Sequence, residues 1–232
     1  MSTATRLGRR PQLSEEVADH VRTRIMSGEF LPGDFVRLDE TAVALGVSVT
    51  PVREALLTLR GEGLVDLVPR RGYIVSPMSP RDIEDIFWVQ ATLAKRIAAR
   101  VIENITPEIL QDHANLVADF EAATEAGDPD WVVRAEYEIN RSLNRAARSD
   151  KLARFLSTAA RYMPYRIYAE DPRWREANLA DNKAMLAALQ DRDLDAACAV
   201  IDRIFTDGAD RLVKHLTAAG VWPTRADEDT TD

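Results

Sequence analysis

The chain has 232 residues, 46% hydrophobic, 29% charged and 6% aromatic, with a formal net charge of −8. That length suits one or two domains with real cores, and the composition is that of a helical globular protein rather than a disordered or all-β one. The acidic balance excludes a protein that coats nucleic acid through bulk charge, and the single cysteine, Cys198, excludes an internal disulfide or a zinc ribbon. No apolar run reaches the roughly 18 residues of a membrane helix, and the first residues lack the apolar stretch of a secretory signal, so a cytoplasmic protein with no membrane partner is expected.

Charge is nearly balanced over the first third, whereas the acidic excess lies beyond Ser76, notably in the last eight residues. Ser14, followed by Glu15 and Glu16 and then by Val17, Val21 and Ile25 at helical spacing, predicts a capped helix over 15–27. Gly28 and the turn residues Leu31, Pro32, Gly33 and Asp34 stop it. A short helix over 39–45 follows, closed by Gly46, which suits the left-handed position after a helix. The next helix, 49–62, carries a stripe of Val52, Leu56 and Leu59 and ends at Gly61 and Gly63. Residues 64–75 are two short β-prone runs separated by Pro69, Arg70, Arg71 and Gly72, the pattern of a hairpin with an arginine-bearing tip. Helix, helix, turn, helix and hairpin make a winged helix-turn-helix over residues 1–76.

The prolines and serines of 76–80 read as a linker, with Ser79 and Pro80 placed to start the next helix. Beyond it the pattern is helical throughout, at 80–104, 107–126, 130–147, 150–169, 173–190 and 193–219, which predicts a bundle of about six helices over 77–222. Residues 223–232 lack apolar periodicity and read as a disordered acidic tail. The fold class is mainly α, a winged helix-turn-helix followed by an all-helical bundle.

A helix-turn-helix reads DNA with the front end of its second helix, which presents side chains to base edges and backbone amides to phosphate. Here that end is Ser48, Val49, Thr50, Pro51 and Arg53. The two hydroxyls can cap the helix or reach phosphate, Pro51 sets the first turn, and an arginine there can grip guanine or phosphate. Arg70, Arg71 and Gly72 at the hairpin tip supply a second contact surface, because close backbone approach to DNA suits glycine.

The run "SGEFLPGDFVRLDETAVALGVSVTPVREALLTLRGEGLVDLVPRRGYIV" resembles the winged-helix domain of GntR-family bacterial transcription regulators, in its PGD turn, its GVS and TPVREAL blocks and its RRGYIV wing. The helical remainder, about 80–220, resembles the effector-binding FCD domain of the FadR-type branch of that family. The resemblance implies a homodimeric regulator that binds operator DNA, responds to a small-molecule effector and most often represses. It places DNA contacts on Ser48, Thr50, Arg53, Arg71 and Gly72. Two positions depart: Val49 stands where the family usually has arginine, and Asp39 differs from the usual segment. Valine offers a guanine nothing, though it can touch a thymine methyl.

Many FCD domains hold a metal through an acid and three histidines, and the matching positions here are Glu136, Asn140, Asn182 and Ile204. Two amides and an isoleucine are poor substitutes for imidazole, so no metal and no cofactor are expected. His20, His113 and His215 lack ligand spacing and read as surface or packing residues. An effector pocket without metal would draw on Arg96, Glu136, Asn140, Tyr162, Tyr165, Arg166 and Asn182. The chain has no G-x-S-x-G, P-loop or H-E-x-x-H motif, so an enzyme is not expected. The competing reading is a helical ligand-binding or enzymatic protein whose winged helix is a protein-interaction module.

Overall fold

The computed structural model describes residues 11–222. The acidic tail expected at 223–232 lies outside the described residues. Along the chain the elements are α1 (Pro11–Met26), β1 (Phe35–Val36), α2 (Leu38–Leu45), α3 (Val49–Gly61), β2 (Val65–Val68) and β3 (Gly72–Val75). There follow α4 (Pro80–Asn104), α5 (Pro107–Ala126), α6 (Pro129–Ala146), α7 (Asp150–Ala159), a 3-10 turn (Ala160–Tyr162), α8 (Tyr165–Glu170), α9 (Pro172–Gln190) and α10 (Leu194–Ala218).

The described residues divide into two compact units, 11–79 together with 215–222, and 80–214. The sequence placed the boundary at 76 and kept everything to 222 in the helical domain, so the division differs at the far end. Residues 215–222 join the first unit through specific contacts: the His215 Nε2 lies 3.0 Å from the Ser27 carbonyl, and a Cβ on Gly28 would stand only 2.7 Å from that of Ala219.

In the first unit, Val17, Ala18, Val21 and Ile25 of α1 and Val52, Ala55, Leu56 and Leu59 of α3 are all buried, and the two helices pack on one another. Their apolar residues recur every three to four positions, so each helix offers one continuous stripe to the other. Arg22, itself buried, reinforces the pair: its guanidinium donates to both carboxylate oxygens of Glu62 at 2.8 and 2.9 Å. The fork geometry satisfies the buried charge at the end of α3.

The wing is a three-stranded antiparallel sheet in the order β1, β3, β2. The sequence revealed the β2–β3 hairpin but not β1, whose two residues are too few to show a period. What makes β1 a strand is the turn before it. Asp34 caps that turn by accepting from the Leu31 amide at 2.8 Å, and the turn is latched to β3 by Gly33 N–H to Val75 carbonyl, 3.0 Å, and Val75 N–H to Asp34 carbonyl, 2.9 Å.

The second unit contains only helices among its described residues. A cluster of Ala91, Ile97, Ala98, Val101, Met185, Leu189, Val200 and Ile201 joins residues of α4, α9 and α10, and a second of Val117, Phe120, Val132, Ala135, Ile139 and Ala169 joins α5, α6 and α8. Two expectations are corrected here. The helix expected over 150–169 is broken into α7, the 3-10 turn and α8, because Pro164 has no amide to donate and disfavours a helical Met163, whose φ and ψ are −81° and 121°. The unit therefore has seven α-helices, not six. The first helix of the chain also begins before Ser14, at Pro11, so Ser14 lies inside α1 rather than capping it.

Candidate nucleic-acid interface and polar recess

Helices α2 and α3 meet at 115°, within the range that lets a second helix stand clear of its scaffold. Gly46 makes the corner. It closes α2 at φ 65°, ψ 31°, a left-handed conformation that costs a residue with a Cβ about 1 kcal/mol or more. Ser48 then stands extended at the N-cap of α3, yet its side chain makes no capping hydrogen bond. The first-turn amides of α3 thus have no side-chain cap, which leaves a positive helix end available to an anion.

Burial divides α3 into two faces. Pro51, Val52, Ala55, Leu56 and Leu59 are buried, whereas Thr50, Arg53, Glu54, Leu57 and Thr58 are exposed. Thr50, Arg53 and Leu57 follow one another at helical spacing, so one solvent-facing row runs back from the front of the helix. Val49 is half-buried at its first position. Glu54 and Leu57 belong to this exposed face and escaped the sequence reading; Leu57, 52% exposed, is the apolar residue that the stripe of Val52, Leu56 and Leu59 leaves outside.

The wing tip is equally well defined. The register pairs Val68 with Gly72, leaving Pro69, Arg70 and Arg71 as the loop, and the Arg71 amide closes it on the Val68 carbonyl at 3.0 Å. Arg70 takes a left-handed φ of 63° and Gly72 a φ of 105°, so the second needs glycine and the first carries a small strain. Both arginines are exposed. Arg71 is not loose: its guanidinium carbon lies 4.9 Å from the centroid of the Phe35 ring on β1.

In the helical unit, Glu136 gathers three amides. Asn178 of α9 donates to its Oε2 at 2.8 Å, Asn140, one turn further along α6, donates to Oε1 at 3.1 Å, and the amide of Asn182 lies alongside, 3.4 Å from the Asn178 carbonyl oxygen. Burial pushes the Glu136 carboxyl above its ordinary range against the pull of these amides. Tyr165 is close enough to feel that charge, and burial followed by Glu136 pushes its hydroxyl upward as well. Asn178 was missed in the sequence. Its one signal was a position four residues before Asn182, and an i, i+4 amide pair on a helix is too common to single out.

The remaining expected pocket residues are not brought to this cluster. Arg166 is exposed and pairs with Asp130 at 3.0 Å and Glu170 at 3.3 Å, Arg96 is exposed on α4, and Tyr162 lines a shallow groove with Asp85, Ile86, Val89 and Ala159. Helical spacing alone could not orient these side chains, because α8 is cut from α7 by Pro164. His113, by contrast, is a packing residue as expected: it is 2% exposed, with its Nδ1 3.2 Å from the Ser142 hydroxyl.

The residues at the metal position do not fit a transition metal. Glu136 is the one ionisable donor, the amide N–H groups of Asn140 and Asn178 are turned toward it, and Ile204 packs against the apolar cluster. Among the described residues no group of three or more His, Cys, Asp or Glu is placed to hold a metal ion. No single helix among them is long and apolar enough to cross a membrane.

Comparison with known proteins agrees with these two units. The chain is 28% identical over 121 residues to the HTH-type transcriptional regulator McbR of Escherichia coli (strain K12), covering 52% of this chain and 55% of that protein. It is 30% identical over 119 residues to the HTH-type transcriptional repressor GlaR of the same organism, covering 49% and 54%. The chain thus spans about half the length of the curated relatives it matches. The solved structure of E. coli McbR/YncC superposes with a TM-score of 0.69 at 23% identity, covering 88% of this chain and 98% of that one, a likeness of fold. Residues 13–75 match the bacterial regulatory proteins of the gntR family and residues 85–207 match the FCD domain, so this chain is a member of the GntR family that carries an FCD domain.

Proposed function

We propose that the protein is a ligand-responsive, DNA-binding transcription regulator, acting as a cytoplasmic homodimer on operator DNA and releasing it when a small-molecule effector binds the helical unit. One observation carries the reading: α3 presents an uncapped front end and an exposed row of Thr50, Arg53 and Leu57 on the same unit as a wing tipped by Arg70 and Arg71. Ser48, Thr50 and the wing arginines serve the phosphates, Arg53 reads a base edge, and Val49 and Leu57 offer apolar contact to thymine methyls. Gly72 keeps the wing backbone slim.

Effector binding acts by favouring one spacing of the two recognition helices in the dimer over another; a ligand that bound both equally would regulate nothing. The name of the relative GlaR supports repression as the mode. The absence of hydrolase, kinase and metalloprotease motifs in the sequence supports a regulator over an enzyme.

The test is selection of bound duplexes from a random DNA library by the full chain, followed by affinity measurement at several salt concentrations. The expected result is an enriched near-palindromic motif, bound with a steep salt dependence and lost in R53A, whose circular dichroism spectrum matches the parent. A library that shows no enrichment overturns the reading.

A further inference from the structure

The geometry points to a ligand with a primary ammonium group at the polar cluster of Glu136, Asn140, Asn178 and Asn182, seated on the Glu136 carboxylate with amide carbonyl oxygens beside it. This rests on the effector reading above and deepens it by naming the chemistry that the site selects.

Capacity is the first argument. Glu136 accepts amide N–H groups from Asn178, Asn140 and Asn182, and a carboxylate offers about four lone-pair directions, so roughly one is left for a further donor. An ammonium carries three N–H donors and no acceptor, and the carbonyl oxygens of the neighbouring amides match the donors that the carboxylate does not take.

Charge is the second. No basic side chain is among the groups that set the ionisation of Glu136; its polar neighbours are the three amides. Five cations of the surrounding helices are committed elsewhere. Arg166 pairs with Asp130 and Glu170, Arg203 with Asp181, Arg211 with Asp171 and Lys183 with Glu121, while Arg175 donates to the Ala169 carbonyl. A half-buried carboxylate held by neutral donors alone still lacks a countercharge, which an ammonium supplies and an anionic ligand would oppose. A metal bridge between this acid and an anionic ligand is not offered by the donor set.

Access is the third. Asn178 and Asn182 are each 6% exposed, Glu136 is half-buried and Asn140 is exposed, so the polar groups run from the surface inward rather than forming a sealed knot.

The experiment is thermal unfolding of the full chain with propylammonium chloride, sodium propionate or zinc chloride, each at matched ionic strength, on the parent protein, E136Q and N140D. Propylammonium at ten times its dissociation constant should raise Tm by roughly 3 to 5 °C in the parent. It should have no effect on E136Q, and it should bind N140D several-fold more tightly, because a second carboxylate at the exposed edge adds negative charge beside the ammonium; circular dichroism of both variants checks that the fold is kept. A Glu136-dependent response to propionate or zinc, a propylammonium response that survives E136Q, or no propylammonium response at all overturns the proposal. DNA selection on the same preparation keeps the two readings apart: sequence-specific binding with a silent ammonium site sinks this proposal alone, whereas failure to select DNA sinks the reading it rests on.

Discussion

Asn178 of α9 donates a 2.8 Å hydrogen bond to Glu136 of α6, linking two positions 42 residues apart in the chain. The bond joins a buried amide to a carboxylate that burial disfavours as an anion, and a hydrogen bond to a charged group contributes about 1.5 to 3 kcal/mol. N178A should therefore lower the free energy of unfolding by about 2 kcal/mol in urea titration. In an E136Q background the same change should cost distinctly less, and an equal cost in both backgrounds would sever the link.

His113 supplies a pH signature. Burial lowers its pKa from 6.5 to about 4, so the folded protein holds the neutral ring while the unfolded chain protonates near pH 6.5. Because the unfolded state binds the extra proton, stability is unaffected above pH 6.5 and falls as pH drops from there toward 4, by about 3 kcal/mol in all. Denaturant titrations at a series of pH values should show that the parent loses this much more than H113Q over the same interval.

Gly208 sits against an aromatic ring. A Cβ there would lie 2.7 Å from Cε1 of the buried Phe87 ring, so the ring or the helix must shift, and the Gly208 carbonyl is held by the Tyr168 hydroxyl at 2.7 Å. G208A should lose about 1 to 3 kcal/mol through overpacking. Adding F87L to G208A should restore part of that loss, which thermal unfolding of the pair can read.

Phe35 positions the wing arginine. With the Arg71 guanidinium carbon 4.9 Å from the ring centroid, the cation is held over the face of Phe35 instead of sampling its rotamers. F35L should weaken operator binding by about two- to fivefold, corresponding to about 0.5 to 1 kcal/mol of cation–π interaction. F35Y should restore it, and F35L should have no further effect in an R71A background; a full effect of F35L there would mean that Phe35 acts through the fold.

Much of this was written in local patterns. The stripe of Val52, Leu56 and Leu59, the glycine at 46 and the arginine-bearing turn before Gly72 announced a winged helix-turn-helix, because caps, turns and amphipathic faces depend on residues within a few positions of one another. The residue types at 136, 140 and 182 likewise speak against a metal by themselves, because one acid and two amides supply no imidazole nitrogen. Tertiary structure decided the rest. β1 exists because the Gly33 turn is latched to Val75, and Asn178 meets Glu136 because α6 and α9 come together at that level. Arg166 was drawn away because Asp130 and Glu170 offered it nearer charges. Periodicity specifies which face of a helix turns inward; which partner that face meets is settled when distant segments pack and their polar groups are satisfied together.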